Sequence, residues 1–151
     1  MLLNTSFFMK NKLLLILSFL LIGLYSCSSD DSNSDVNFIR AKFNGTEQKF
    51  NIISVDKVDY PNEGYSDVEV TATMSSDPTK IMILKSEYGV TGDIIWGMYY
   101  TNDGIYYENN SQDSNVIENS SGRYTGTFSG SLISEGEGTV MITEGSFDII
   151  Y

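Results

Sequence analysis

Histidine is absent from the sequence, cysteine occurs once, at Cys27, and proline twice, at Pro61 and Pro78. The missing histidine removes the commonest general base, the Ser-His-Asp and Cys-His nucleophile arrangements, and the ordinary zinc sites. One cysteine cannot close a disulfide within the chain. Basic residues are scarce as well, with nine Lys and Arg against twenty Asp and Glu. A surface of that sign repels phosphate backbones and anionic headgroups, which excludes nucleic acid as a partner. Long apolar runs are also lacking. The most apolar stretch, Leu13–Leu24, holds twelve residues, whereas a helix needs roughly 20 to cross a bilayer core.

That stretch nevertheless carries an address. Lys10 and Lys12 precede it, and no acidic residue occurs before Cys27. A basic start followed by a short apolar run is the pattern of a secretory signal. The usual small-x-small cleavage site is missing, and Leu24-Tyr25-Ser26-Cys27 stands in its place. This tetrapeptide resembles a bacterial lipobox. The resemblance implies cleavage between Ser26 and Cys27, diacylation of the Cys27 sulfur and acylation of the new amine. Each buried methylene is worth about 0.8 kcal/mol, so two or three chains anchor durably where one would not. Met9-Lys10-Asn11-Lys12 reads as an ordinary beginning for such a signal, which would leave residues 1–8 upstream of the working start.

Three segments follow from this reading: a signal over 1–26, a lipidated cysteine with an acidic tether over 27–37, and a domain over 38–151. Losing both signal lysines leaves seven basic residues against twenty acidic ones, a formal balance of about −13. The tether "SSDDSNSDVN" has one apolar side chain and three aspartates, so it cannot bury itself. Its ten residues reach at most about 33–36 Å.

The domain reads as strands. "FIRAKFNGTEQKFNIISV" places two runs around Asn44-Gly45, a strong signal for a two-residue hairpin turn. In "DVEVTATM", Val68, Val70, Ala72 and Met74 alternate with Asp67, Glu69, Thr71 and Thr73, the pattern of a half-buried antiparallel strand. "SSDP" is a turn ahead of "TKIMILKSE", and Asn102-Asp103-Gly104 is another between aromatic-rich runs. Asn109–Gly122 reads as a polar loop. "RYTGTFSGSLI" puts Tyr124, Phe128 and Leu132 on one face with Gly126 and Gly130 between them. "SEGEG" is a turn, without the lysine and helix of a phosphate loop. Gly145 marks a bulge or a tight bend in the last strand. No stretch after Leu24 sustains helical periodicity. The expected fold is all-β, an antiparallel sandwich or barrel of about seven to nine strands.

"FIRAKFNGTEQKF", "GRYTGTFSGSL" and "VMITEGSFDIIY" together resemble a family of small Bacteroidota lipoproteins. Its members show an Asn-Gly hairpin soon after the lipobox, then a Gly-Thr-Phe strand and a strand with Thr-x-Gly-x-Phe. Here these are Asn44-Gly45, Gly126-Thr127-Phe128 and Thr143-Glu144-Gly145-Ser146-Phe147. The resemblance covers the chain ends better than the middle and transfers no functional residues. In that phylum, acids shortly after the lipidated cysteine look like a surface-export label. Ser28, Ser29, Asp30 and Asp31 are similar to it.

Among side chains that carry chemistry, the aromatic group Trp96, Tyr99, Tyr100, Tyr106 and Tyr107 stands out. Strict alternation sets Ile94, Trp96, Met98 and Tyr100 together, opposite Ile95, Tyr99 and Thr101. Most of these rings are expected in the core, with Tyr99, Tyr106 and Tyr107 better placed for exposure. As a recognition surface the platform would be Trp96, Tyr99, Tyr106 and Tyr107. Twenty acids make carboxylate pairs frequent by chance, and none sits in a catalytic motif, so no enzymatic activity, catalytic residue, cofactor or metal site is expected. "TNDGIYYENN" fails the calcium-loop template and is expected to be a hairpin.

The sequence therefore predicts a lipid-anchored domain of the outer membrane, facing the cell exterior and serving as a binding or structural accessory module. Its partners would be the membrane, through the lipid, and a glycan or surface protein. The alternatives are a lipocalin-like carrier of a small apolar ligand and a carboxylate-based glycan hydrolase. Two substitutions test the address. Cys27→Ala should release the protein from the membrane fraction without detergent, and Met9→Ala should abolish its production.

Overall fold

The computed structural model describes residues 37–151. The positions carrying the lipidation and export readings, Ser26, Cys27, Ser28, Ser29, Asp30 and Asp31, lie outside the described residues, as does the tether through residue 36. Eight strands follow in order: β1 (Phe38–Phe43), β2 (Thr46–Tyr60), β3 (Tyr65–Met74), β4 (Asp77–Glu87), β5 (Ile95–Asn102), β6 (Ile105–Ser120), β7 (Arg123–Ser134) and β8 (Gly138–Ile150). Each pairs antiparallel with the next, and β8 pairs with β1, so the sheet closes into a barrel. Among the described residues there is no helix.

The period-two pattern decides what points inward. In β3, Val68, Val70 and Ala72 are fully buried and Met74 nearly so, while Glu69, Thr71 and Thr73 face out, as the alternation requires. In β4, Met82, Leu84 and Ser86 point inward and Ile81 and Ile83 lie half-buried outside, so this doubly apolar strand still has a single core face. Tyr124, Phe128 and Leu132 of β7 line the interior, as expected.

The tight turns follow their residues. Asn44 and Gly45 both have positive φ, 48° and 82°, and connect Phe43 to Thr46 in two residues. Asp103-Gly104 and Ser121-Gly122 do the same for β5–β6 and β6–β7. Short polar side chains and glycine tolerate that left-handed backbone, whose twist matches the flanking strands.

An eight-stranded barrel has an interior that side chains can just fill. Here rings do much of the filling. Phe43 lies 5.4 Å from Phe50 and 4.9 Å from Tyr100, and Tyr100 lies 6.1 Å from Tyr107. A second group joins Tyr124 to Phe147 at 4.3 Å and Phe147 to Phe128 at 6.2 Å. Burial pushes the Tyr100 phenol up to about 12 and also raises that of Tyr124.

The polar loop expected over Asn109–Gly122 is instead most of β6, which runs sixteen residues to Ser120. From Asn109 onward, only Val116 marks its core face as apolar. The other inward positions, Ser114 and Asn119, are polar and buried, and the register slips twice along β7, between Asn109 and Ser111 and between Val116 and Glu118. Hydrogen bonds to β7 hold it, not hydrophobic periodicity. Gly126 of β7 makes that approach feasible. A Cβ there would meet the Asn115 carbonyl oxygen at 2.6 Å and the Phe147 ring at 2.8 Å. In β8, Glu144 has φ 53° and Gly145 follows it beneath the Phe128 ring, where the registers with β1 and β7 both shift. Of the bulge or tight bend expected at Gly145, the bulge is present.

Gly126→Ala should therefore destabilise the barrel by about 1–3 kcal/mol, the usual cost of overpacking a tight core. Thermal unfolding checks this. An unchanged midpoint would mean that β6 and Phe147 yield freely.

Candidate functional site

The site begins with a one-residue irregularity. Lys85 pairs with Gly97 and Ser86 with Ile95, which leaves Trp96 as an extra residue on β5. A bulge of this kind reverses which residues face the core. Ile95 and Met98 both point inward, and Trp96 is thrown outward with 47% of its surface exposed. The expected face of Ile94, Trp96, Met98 and Tyr100 is thus corrected: Met98 and Tyr100 are in the core, and the indole is outside.

Side chains of the β6 side fix the start of β5. Gln112 Nε2 donates to the Ile95 carbonyl, and the Ile95 N–H donates to Ser114 Oγ at 3.2 Å. Asp93 Oδ1 accepts from both the N–H and the hydroxyl of Ser114, at 3.0 and 2.6 Å. Direct β5–β6 pairing covers only Tyr100–Asn102 against Ile105–Tyr107, so these bonds carry the seam beside the bulge.

Of the other sequence-predicted platform residues, Tyr99 is half-buried on the outer face and Tyr106 is 52% exposed. Their rings stack at 5.8 Å and 18°. Lys85 Nζ lies 5.9 Å from the Trp96 ring centre and 5.7 Å from that of Tyr99, and it pairs with Glu69 at 2.5 Å. The hydrogen bond to Glu69 raises the Lys85 ammonium above its ordinary range. Burial, with Tyr99 and Glu108 nearby, raises the Tyr106 phenol. Tyr107 does not belong to this surface. It follows Tyr106 in a regular strand, so it faces the opposite way and sits in the core, 6% exposed.

Beyond Trp96 the outer surface opens into a cleft of about 430 Å³ lined by Tyr60, Glu63, Tyr65, Asp67, Glu87 and Trp96. Tyr60 and Tyr65 close the β2–β3 hairpin as an opposed pair, their rings 5.0 Å apart and nearly parallel. Asp67 and Glu87 oppose one another across β3 and β4. Trp96 Nε1 donates to Asp67 Oδ1 at 3.3 Å, and Asp67 is left only 5% exposed. Glu63, bonded to the Tyr65 hydroxyl, raises that phenol above the ordinary range. Sequence reading missed Tyr60, Glu63, Tyr65, Asp67 and Glu87 as a group. Tyr60-Pro-Asn-Glu-Gly-Tyr65 carried a signal, because a turn at Pro61–Gly64 sets the two tyrosines side by side. Among the described residues, no three acidic side chains converge closely enough to hold a metal ion.

No protein-family model, no curated protein and no solved structure matches the chain.

The two adjacent tyrosines separate core from surface in one experiment. Tyr107→Ala should cost about 3–5 kcal/mol in urea unfolding, as for other buried aromatic rings. Tyr106→Ala should cost within about 1 kcal/mol, the worth of one exposed stack.

Proposed function

We propose that the protein is a lipid-anchored recognition module of the outer membrane, facing outward, and akin to the small Bacteroidota lipoproteins that its termini resemble. The observation that carries the recognition part is the outward throw of Trp96. An indole that could have filled the core is held on the surface, hydrogen-bonded to Asp67 and beside the stacked Tyr99 and Tyr106. Exposed, immobilised rings suit the faces of sugars and partner side chains, and they lose little entropy on binding. The membrane attachment and outward orientation rest on the Cys27 and Ser28–Asp31 readings alone.

Two other activities have a specific observation in their favour. The closed eight-stranded barrel is compatible with a lipocalin-like carrier, although the rings of Phe43, Phe50, Tyr100 and Tyr107 occupy its interior. The opposed Asp67 and Glu87 in an aromatic cleft are the residue types of a glycan hydrolase. A recognition role needs neither an emptied interior nor a proton shuttle.

The test uses the full chain, purified in a nonionic detergent, on an array of immobilised bacterial oligosaccharides. Retention should fall at least about tenfold in Trp96→Ala, the loss of a single aromatic anchor. Equal retention by Trp96→Ala would remove the outer face as the recognition surface. Release of reducing sugar, abolished by Glu87→Gln, would replace recognition with hydrolysis.

A further inference from the structure

The cleft beside Trp96 combines two features that select the same kind of ligand. Three of its six lining residues, Glu63, Asp67 and Glu87, are carboxylates, and none is basic. The other three, Tyr60, Tyr65 and Trp96, are aromatic. Aromatic faces are electron-rich and attract cations, most strongly for tryptophan. The carboxylates add long-range attraction. A neutral sugar would use the rings and leave the charge uncompensated. A metal ion would need oxygens converging on one point, an arrangement not found among the described residues. An organic ammonium ion uses rings and charge together.

The protein already displays this chemistry next door. Lys85 sets its ammonium between the Trp96 and Tyr99 rings and against Glu69. Lys85 itself does not line the cleft, which shares Trp96 with that arrangement and adds two tyrosines and three carboxylates of its own. Its volume of about 430 Å³ is that of a small-molecule site. The indole is also held in orientation by its bond to Asp67, so little ordering remains to be done on binding.

We infer that the cleft formed by Tyr60, Glu63, Tyr65, Asp67, Glu87 and Trp96 binds the ammonium group of a small organic cation. The inference rests on the reading of the outer face as a recognition surface, and it narrows the ligand class there.

Trp96 is the sole tryptophan of the sequence, so its emission reports on the cleft directly. The full chain in nonionic detergent would be titrated with choline, with its uncharged carbon isostere 3,3-dimethylbutan-1-ol, and with a neutral oligosaccharide. Choline should change the emission saturably and the isostere should not. Asp67→Asn and Glu87→Gln keep size and hydrogen-bonding capacity but remove charge. Each should weaken choline binding by about 3- to 10-fold. Raising the salt from about 0.05 to about 0.5 M should weaken it too. Equal responses to choline and the isostere, or choline binding unchanged in both variants, would overturn the inference. A response to the oligosaccharide alone would overturn it while sparing the outer face as a recognition surface. No response to any of the three would remove both.

Discussion

The pairing of β1 with β8 is the contact on which the molecule depends. It joins Phe38 to Asp148 and Arg40 to Ser146, and it is extended by Asn37, which donates to the Asp148 carbonyl and accepts from the Ile150 N–H. Without it the same eight strands would form an open sheet with two unpaired edges, an invitation to association with other chains. With it, the inward residues of β1, Ile39, Ala41 and Phe43, are sealed against those of the other strands, and none is more than 9% exposed. Closure also divides the side chains into two populations with different duties. Those inside are committed to packing, and only those outside are free to meet another molecule.

Against that division, the irregularities matter more than the regular strands. A single extra residue at Trp96 moves the largest side chain of the sequence from one population to the other. The local ladder is interrupted there, and the start of β5 is tied down instead by Gln112, Ser114 and Asp93. The indole then reaches over to Asp67 of β3 and forms one wall of the cleft. The Glu144–Gly145 bulge of β8 has a different role. It brings the backbone under the Phe128 ring, so that a large side chain and a close strand approach coexist.

Much of the fold was legible because alternation and turn chemistry agreed. Val68 to Met74, the Asn44-Gly45 and Asp103-Gly104 turns, and the Tyr124–Phe128–Leu132 face all sit where period two and left-handed turn residues require. The hidden parts share a physical cause. Beyond Tyr107 the core face of β6 carries Ser114 and Asn119 beside Val116, so that stretch has almost no hydrophobic signature, and its partner β7 contributes glycines. The strand is specified by a neighbour, not by itself. Trp96 was assigned to the wrong face because alternation has no memory of an inserted residue. Tyr106 and Tyr107 were grouped by composition, although neighbours in a strand must part company. The cleft was invisible because its residues come from four strands and the β2–β3 turn, and only the Tyr60–Tyr65 segment leaves a trace in the linear order.

The order of the strands has a consequence for how the chain comes to be made. Seven of the eight pairings join neighbours in sequence, so each can form as soon as its second strand emerges. The eighth must wait for β8, the thirteen residues Gly138–Ile150. Until they are synthesised, the nascent sheet keeps the outer edge of β1 exposed, with Lys42 and Arg40 along it as the charges that discourage mispairing. A ribosome that stopped short of β8 would therefore release not a weaker version of the barrel but a sheet with sticky margins. Closure of the barrel is therefore encoded in the thirteen codons of Gly138–Ile150.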